Sequence, residues 1–131
     1  MNFFVAGPGD LCVMENIKST EEIILIYTSA WNEIKREAIR EKIDQCWSVE
    51  GTFTDKATDT ITGRDAITDL IVGSYDQTGP KNFKVLAEPV THHHSGRFRW
   101  LNIPPEGYPA EGMDYFEFDE QNHITRIVGF F

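Results

Sequence analysis

The sequence predicts a single α+β domain, and two observations carry the prediction. Helical periodicity dominates roughly residues 19–79, interrupted by one short strand-like stretch, and four strand-like segments then close the chain without a further helix. Helices that precede a run of consecutive strands collect on one side of an antiparallel sheet and bury its concave face. At 131 residues the chain is long enough for one core and too short for two.

The first helix starts at Ser19-Thr20-Glu21-Glu22, a capping-box pattern in which the Ser19 hydroxyl and Glu22 carboxylate satisfy orphan amides. Ile23, Tyr27, Ala30 and Ile34 follow at helical spacing, widened by Ile24 and Trp31, so one face is buried. A second helix runs through Ala38, Ile39, Ile43 and Cys46 and ends near Trp47, close enough to the first for a helical hairpin. Residues 49–55 are rich in β-branched and aromatic side chains and read as a short strand with Asp55 at its exit. The stretch Ala57 to Thr62 reads as a short polar loop. Thr62-Gly63-Arg64-Asp65 opens a third helix with Ala66, Ile67, Leu70, Ile71 and Tyr75 as its apolar stripe, stopped by Gly79-Pro80. Strands are then expected at about 82–90, 91–101, 111–119 and 123–131, pairing as an antiparallel meander.

Composition narrows the function classes. Hydrophobic residues make up 40% and charged residues 25%, ordinary for a globular domain, while nine Phe, four Tyr and three Trp exceed what a small core needs and leave rings for a cavity. A net charge of −9 with no basic stripe argues against a nucleic-acid partner. No apolar run reaches the roughly 20 residues that cross a bilayer, so no membrane association is expected. Residues 1–18 read as an N-terminal extension to a domain spanning 19–131; the opening apolar residues lack a basic flank and are interrupted at Gly7-Pro8-Gly9-Asp10, so the expected location is cytoplasmic. Cys12 and Cys46 have no zinc-site spacing and are expected as free thiols.

Tyr27-Thr28-Ser29-Ala30-Trp31-Asn32, Phe53-Thr54-Asp55, Gly63-Arg64-Asp65-Ala66-Ile67, Arg97-Phe98-Arg99-Trp100, Gly112-Met113-Asp114 and the ending Ile124 to Phe131 resemble, in order and spacing over residues 19–131, the SnoaL-like, polyketide-cyclase-like branch of the NTF2-like and ketosteroid-isomerase-like superfamily. The resemblance implies a cone with a curved sheet around an apolar pocket, a homodimer formed by exposed sheet faces, and no cofactor. In ketosteroid isomerases a Tyr on the first helix and an Asp on a late strand form an oxyanion hole, and an Asp after the first short strand is the base. Tyr27, Asp114 and Asp55 stand at the matching places, and polyketide cyclases put an acid/base aspartate where Asp114 is. This sequence departs from the pattern at Lys56, where the family commonly has proline.

The residues themselves leave two readings of each candidate. Strand alternation puts Asp114 on one face with Phe116 and Phe118, where desolvation raises a carboxyl pKa and suits it to donate a proton; alternatively it is ionised and tied to Arg97, Arg99 or a backbone amide. Tyr27 either stabilises a developing enolate or is a core tyrosine with a side-chain partner, and Asp55 either abstracts a proton or caps a turn. The internal run His92-His93-His94 alternates across a strand, so the three do not converge on one metal, although His92 and His94 share a face and could supply two ligands; no metal site is expected. His94 shares parity with Gly96, Phe98 and Trp100 and is the expected pocket histidine, a polar contact or a proton carrier that could take the place of Asp55. Trp31, Phe53, Phe98, Trp100, Phe116, Ile127 and Phe131 are the expected apolar walls for a small molecule. Two functions compete: proton transfer of isomerase, cyclase or dehydratase type on a partly apolar carbonyl compound, and a non-catalytic ligand-binding or dimerisation module.

Overall fold

The computed structural model describes residues 17–131. The expected N-terminal extension therefore lies outside the described residues except for Ile17 and Lys18, and Cys12 lies outside them too. Helix α1 (Thr20–Ala30) begins with the capping box: the Glu22 amide donates to Ser19 Oγ at 3.1 Å and the Ser19 amide to Glu22 Oε1 at 3.1 Å. It buries Ile23, Ile24, Tyr27, Thr28 and Ala30, while Ile34 falls beyond its end and is exposed. Helix α2 (Arg36–Cys46) buries Ile39, Ile43 and Cys46 and passes directly into strand β1 (Trp47–Asp55). The segment expected as a polar loop is instead strand β2 (Thr58–Thr62), paired antiparallel to β1. Its β-branched Thr58, Thr60, Ile61 and Thr62 favour the pleat, and a register shift between Phe53 and Asp55 absorbs the tight connection.

Helix α3 (Arg64–Thr78) lies between glycines with φ of +98° at Gly63 and +79° at Gly79. Such backbone suits glycine, which is why these two residues mark its limits. The expected strands at 82–90 and 91–101 become three: β3 (Phe83–Val85), β4 (Val90–His92) and β5 (Ser95–Asn102). The reversal falls at His93-His94, both with positive φ, as in a two-residue type I′ turn. Strands β6 (Ala110–Phe118) and β7 (Ile124–Phe130) follow as expected.

The strands form one sheet in the order β2-β1-β7-β6-β5-β3, with β4 also on β5. The late strands pair as the expected antiparallel meander, but β1 pairs with β7 in parallel, so the sheet as a whole is mixed rather than purely antiparallel. That parallel pair is possible because α3 and the later strands supply the long crossover it needs. The core joins the two: Ile23, Ile24, Ile39, Ile43, Ile67 and Ile71 of the helices meet Trp47, Phe53, Phe98, Phe116, Ile124 and Ile127 of the sheet. Among the described residues no helix is long and apolar enough to cross a membrane.

Candidate functional site

The parallel pairing of β1 with β7 organises the site. Thr54 lies opposite Val128, so the next residue, Asp55, comes beside Gly129, while across β6 and β7 Asp114 lies directly opposite Gly129. A Cβ on Gly129 would stand 3.2 Å from Asp114 Oδ1 and 3.4 Å from Asp55 Cβ. Two carboxylates from strands that are not neighbours thus flank one glycine, and a Cβ there would press on the Asp114 carboxylate.

A second glycine holds the indole of Trp100. Gly112 is paired with Trp100, and a Cβ there would fall 2.2 Å from Trp100 Cζ2. The ring therefore occupies the space a Gly112 side chain would take, and it donates Nε1–H to Asp114 Oδ1 at 3.1 Å. Asp114 is 7% exposed. Burial pushes its carboxyl from the usual 3.8 up to about 7; the Trp100 N–H pulls the other way, and the charge of Asp55 adds to the rise. Tyr27 is buried and stacks on Trp47 with centroids 5.5 Å apart. Burial raises its phenol well above 10, the nearby Asp114 charge adds to this, and the Trp31 indole opposes it. Asp55 Oδ1 accepts from the Ala57 amide at 2.8 Å, the turn role anticipated for it, and the residue still borders the open space.

That space is a concavity of about 620 Å³ with Tyr27, Asp55 and Asp114 in its wall. Its apolar lining is a chain of rings: Phe53 lies 6.0 Å from Trp31, Trp31 6.1 Å from Phe83, Phe83 5.1 Å from Trp100 and Trp100 6.0 Å from Phe131. Asn32 fixes Phe83 in this chain, its Oδ1 accepting from the Phe83 amide at 2.7 Å and its Nδ2 donating to the Phe83 carbonyl at 3.1 Å. The side of α3 completes the wall through Leu70, Gly73 and Ser74. Lys81 lies at the rim, but its ammonium is held by the Ser74 and Gly79 carbonyls and the Thr78 hydroxyl, a helix-end cap rather than a free cation.

Of the expected site residues, the structure brings Tyr27, Asp55, Asp114, Trp31, Phe53, Phe98, Trp100 and Phe131 to this one concavity. Three fall elsewhere. Phe116 and Ile127 are 1% and 0% exposed and pack in the core, because they pair with each other one step further from the mouth. His94 is exposed at the β4–β5 turn with φ +61°, its ring 5.5 Å from Phe118; the strand parity that aimed it inward ends at the turn. Arg99 pairs with Glu111 at 2.6 Å on the outer face, so the expected alternative tie to Asp114 does not form there. Lys56 lies over the Phe131 ring, 4.7 Å from its centroid, and among the described residues no acid pairs with it. Sequence reasoning missed Phe83, Gly112 and Gly129. The strand register that places each of them comes from the β3–β5, β5–β6 and β6–β7 pairings, and the small residues opposite Trp100 and Asp114 were the available signal.

Comparison with solved structures places the fold. A proposed isomerase of the SnoaL-like family from Agrobacterium tumefaciens matches 86% of the chain and 97% of its own length, with 25% identity and a TM-score of 0.77. The chain has the NTF2-like fold, and its structure is similar to that of this SnoaL-like protein. A protein of ketosteroid-isomerase-like fold from Catenulispora acidiphila, in complex with trimethylamine, shares this NTF2-like architecture at 15% identity and TM-score 0.68, over 86% of this chain and 87% of that one. A proposed polyketide cyclase from Sinorhizobium meliloti does so at 16% identity and TM-score 0.60, over 82% and 93%. No protein-family model matches the sequence, and no curated protein matches it.

Proposed function

We propose that the concavity of this SnoaL-like protein binds a small, partly apolar carbonyl compound and moves a proton next to the carbonyl, in an isomerase, cyclase or dehydratase type of reaction. The observation that carries the reading is the placement of Asp55 and Asp114 on either side of Gly129 in a wall shared with Tyr27. In this reading the buried Asp114, neutral over part of the neutral pH range, and the Tyr27 phenol donate hydrogen bonds to the carbonyl oxygen. They stabilise the negative charge that develops there. Asp55, less buried than Asp114, takes the proton from the adjacent carbon. The ring chain from Phe53 to Phe131 fits a flat apolar body and excludes water from the oxygen.

The kinship with a proposed SnoaL-like isomerase supports this class of chemistry, and the trimethylamine complex of another protein of the fold is in keeping with small-molecule binding. A homodimer through the outer face of β5 and β6, which carries Arg97, Arg99, Tyr115 and Glu117, belongs to the same proposal, and light scattering at twice the chain mass is its expected signature. The chemistry is tested by incubating the protein with a panel of cyclic ketones in D₂O and following deuterium uptake beside the carbonyl by NMR. The expected result is uptake above buffer that falls at least about 100-fold in both Asp55→Asn and Tyr27→Phe. Ketones that bind without any uptake would assign the cavity to a non-catalytic binding module.

A further inference from the structure

The β4–β5 hairpin carries a second cluster, remote in function from the cavity. His92 ends β4, and His93 and His94 form the two-residue turn with φ of +49° and +61°. The imidazole Nδ1 atoms of His92 and His93 stand 3.0 Å apart, with ring planes at 80°. All three histidines are exposed. At that separation at most one of the two nitrogens carries a hydrogen, so at least one lone pair points at the shared space.

We propose that the Nδ1 atoms of His92 and His93 form a surface site for a divalent transition metal, Cu(II) or Ni(II) foremost, completed by water. Two imidazole nitrogens each about 2.0–2.1 Å from one metal lie about 2.9 Å apart in adjacent square-planar positions and about 3.4 Å apart in a tetrahedral site. The 3.0 Å pair is close to the first geometry, which for nitrogen ligands is that of Cu(II) and Ni(II). Among the described residues no third histidine, cysteine or carboxylate joins the pair, so the other positions belong to solvent and the affinity is that of a two-ligand site.

The choice of residues points the same way. A type I′ turn favours Asn-Gly or Gly-Gly, because both central residues have positive φ, yet this turn uses two histidines. The turn also explains why alternation misassigned the pair. A strand would have placed His92 with His94, whereas the left-handed backbone at His93 swings its ring back toward His92. The net charge of −9 adds a favourable field for a cation.

The test is a titration of the full chain with Ni(II), which leaves the thiols unoxidised, by calorimetry, together with the Cu(II) EPR spectrum. Asn and Gly are both residues that the turn favours, so His93→Asn and His93→Gly remove the ligand without threatening the fold. One equivalent is expected to bind, tighter for Cu(II) than Ni(II) than Zn(II), with nitrogen hyperfine structure from two imidazoles. Each His93 variant and His92→Asn should weaken binding at least tenfold, while His94→Asn should change it less than twofold. Equal affinity in wild type and His93→Asn would overturn the proposal and leave the pair as an imidazole–imidazole hydrogen bond. A loss in His94→Asn as large as in His93→Asn would overturn the assignment of ligands.

Discussion

Asp114 is the residue on which the site depends, and its titration has a stability consequence with a definite sign. Its carboxyl is pushed from 3.8 to about 7 in the folded protein, mainly by burial, so the native state holds the proton more tightly than the unfolded chain. Between about pH 4 and 7 the unfolded state therefore binds fewer protons, and stability falls as pH rises through that window. Replacing Asp114 by Asn keeps an oxygen for the Trp100 N–H and removes the charge. The variant is expected to match wild type near pH 4 and exceed it above pH 7, by on the order of 4 kcal/mol at most. Thermal melts across this range check it. Gly112 offers an independent handle. Its substitution by Ala drives a methyl into the Trp100 ring, so a loss of about 1–3 kcal/mol is expected, with the indole displaced from Asp114. Because the Trp100 hydrogen bond lowers the Asp114 pKa, the Gly112→Ala protein should titrate Asp114 still higher, a shift that a packing defect remote from the carboxyl would not produce.

At the level of elements, the sequence was most readable where one local pattern decides the structure. The capping box at Ser19, the apolar stripes of the helices and the Gly79-Pro80 stop are local signals, and each element they mark is present. The misreadings occur where pairing with a distant strand outweighs local pattern. β2 looked like a polar loop because Asp59 and the threonines are polar, and its strand character comes from the β1 edge it covers. The hairpin at His93-His94 carries no glycine or asparagine to announce a type I′ turn, so two strands were divided at the wrong place and His94 was aimed inward. The turn yields an element-scale expectation. Non-glycine residues held at positive φ cost about 1 kcal/mol or more. His94→Gly should therefore stabilise the protein by about 0.5–1 kcal/mol in denaturant unfolding, with the slope unchanged.

For the whole molecule, the long-range register matters more than any motif. Tyr27, Asp55 and Asp114 were identified from a family resemblance, yet their convergence rests on β7 running between β1 and β6 with a glycine at residue 129. The sheet delivers the two acids, α1 delivers the phenol, and α3 with β3 closes the wall, so each layer of the fold contributes to one cavity. Of the expected walls, Phe116 and Ile127 were lost to the core for a reason of scale, since strand parity gives the face of a residue but not its depth in a cone. The central claim is that this cavity raises the Asp114 carboxyl into the neutral pH range, so that it is partly protonated there, with Asp55 on the other side of Gly129. It is tested most directly by following the side-chain carboxyl carbons of Asp114 and Asp55 by NMR from pH 3 to 9, assigned with Asp114→Asn. The account expects a midpoint for Asp114 at about 7. A midpoint for Asp114 near the usual 3.8 would contradict it and leave the carboxyl as an ordinary acceptor for Trp100.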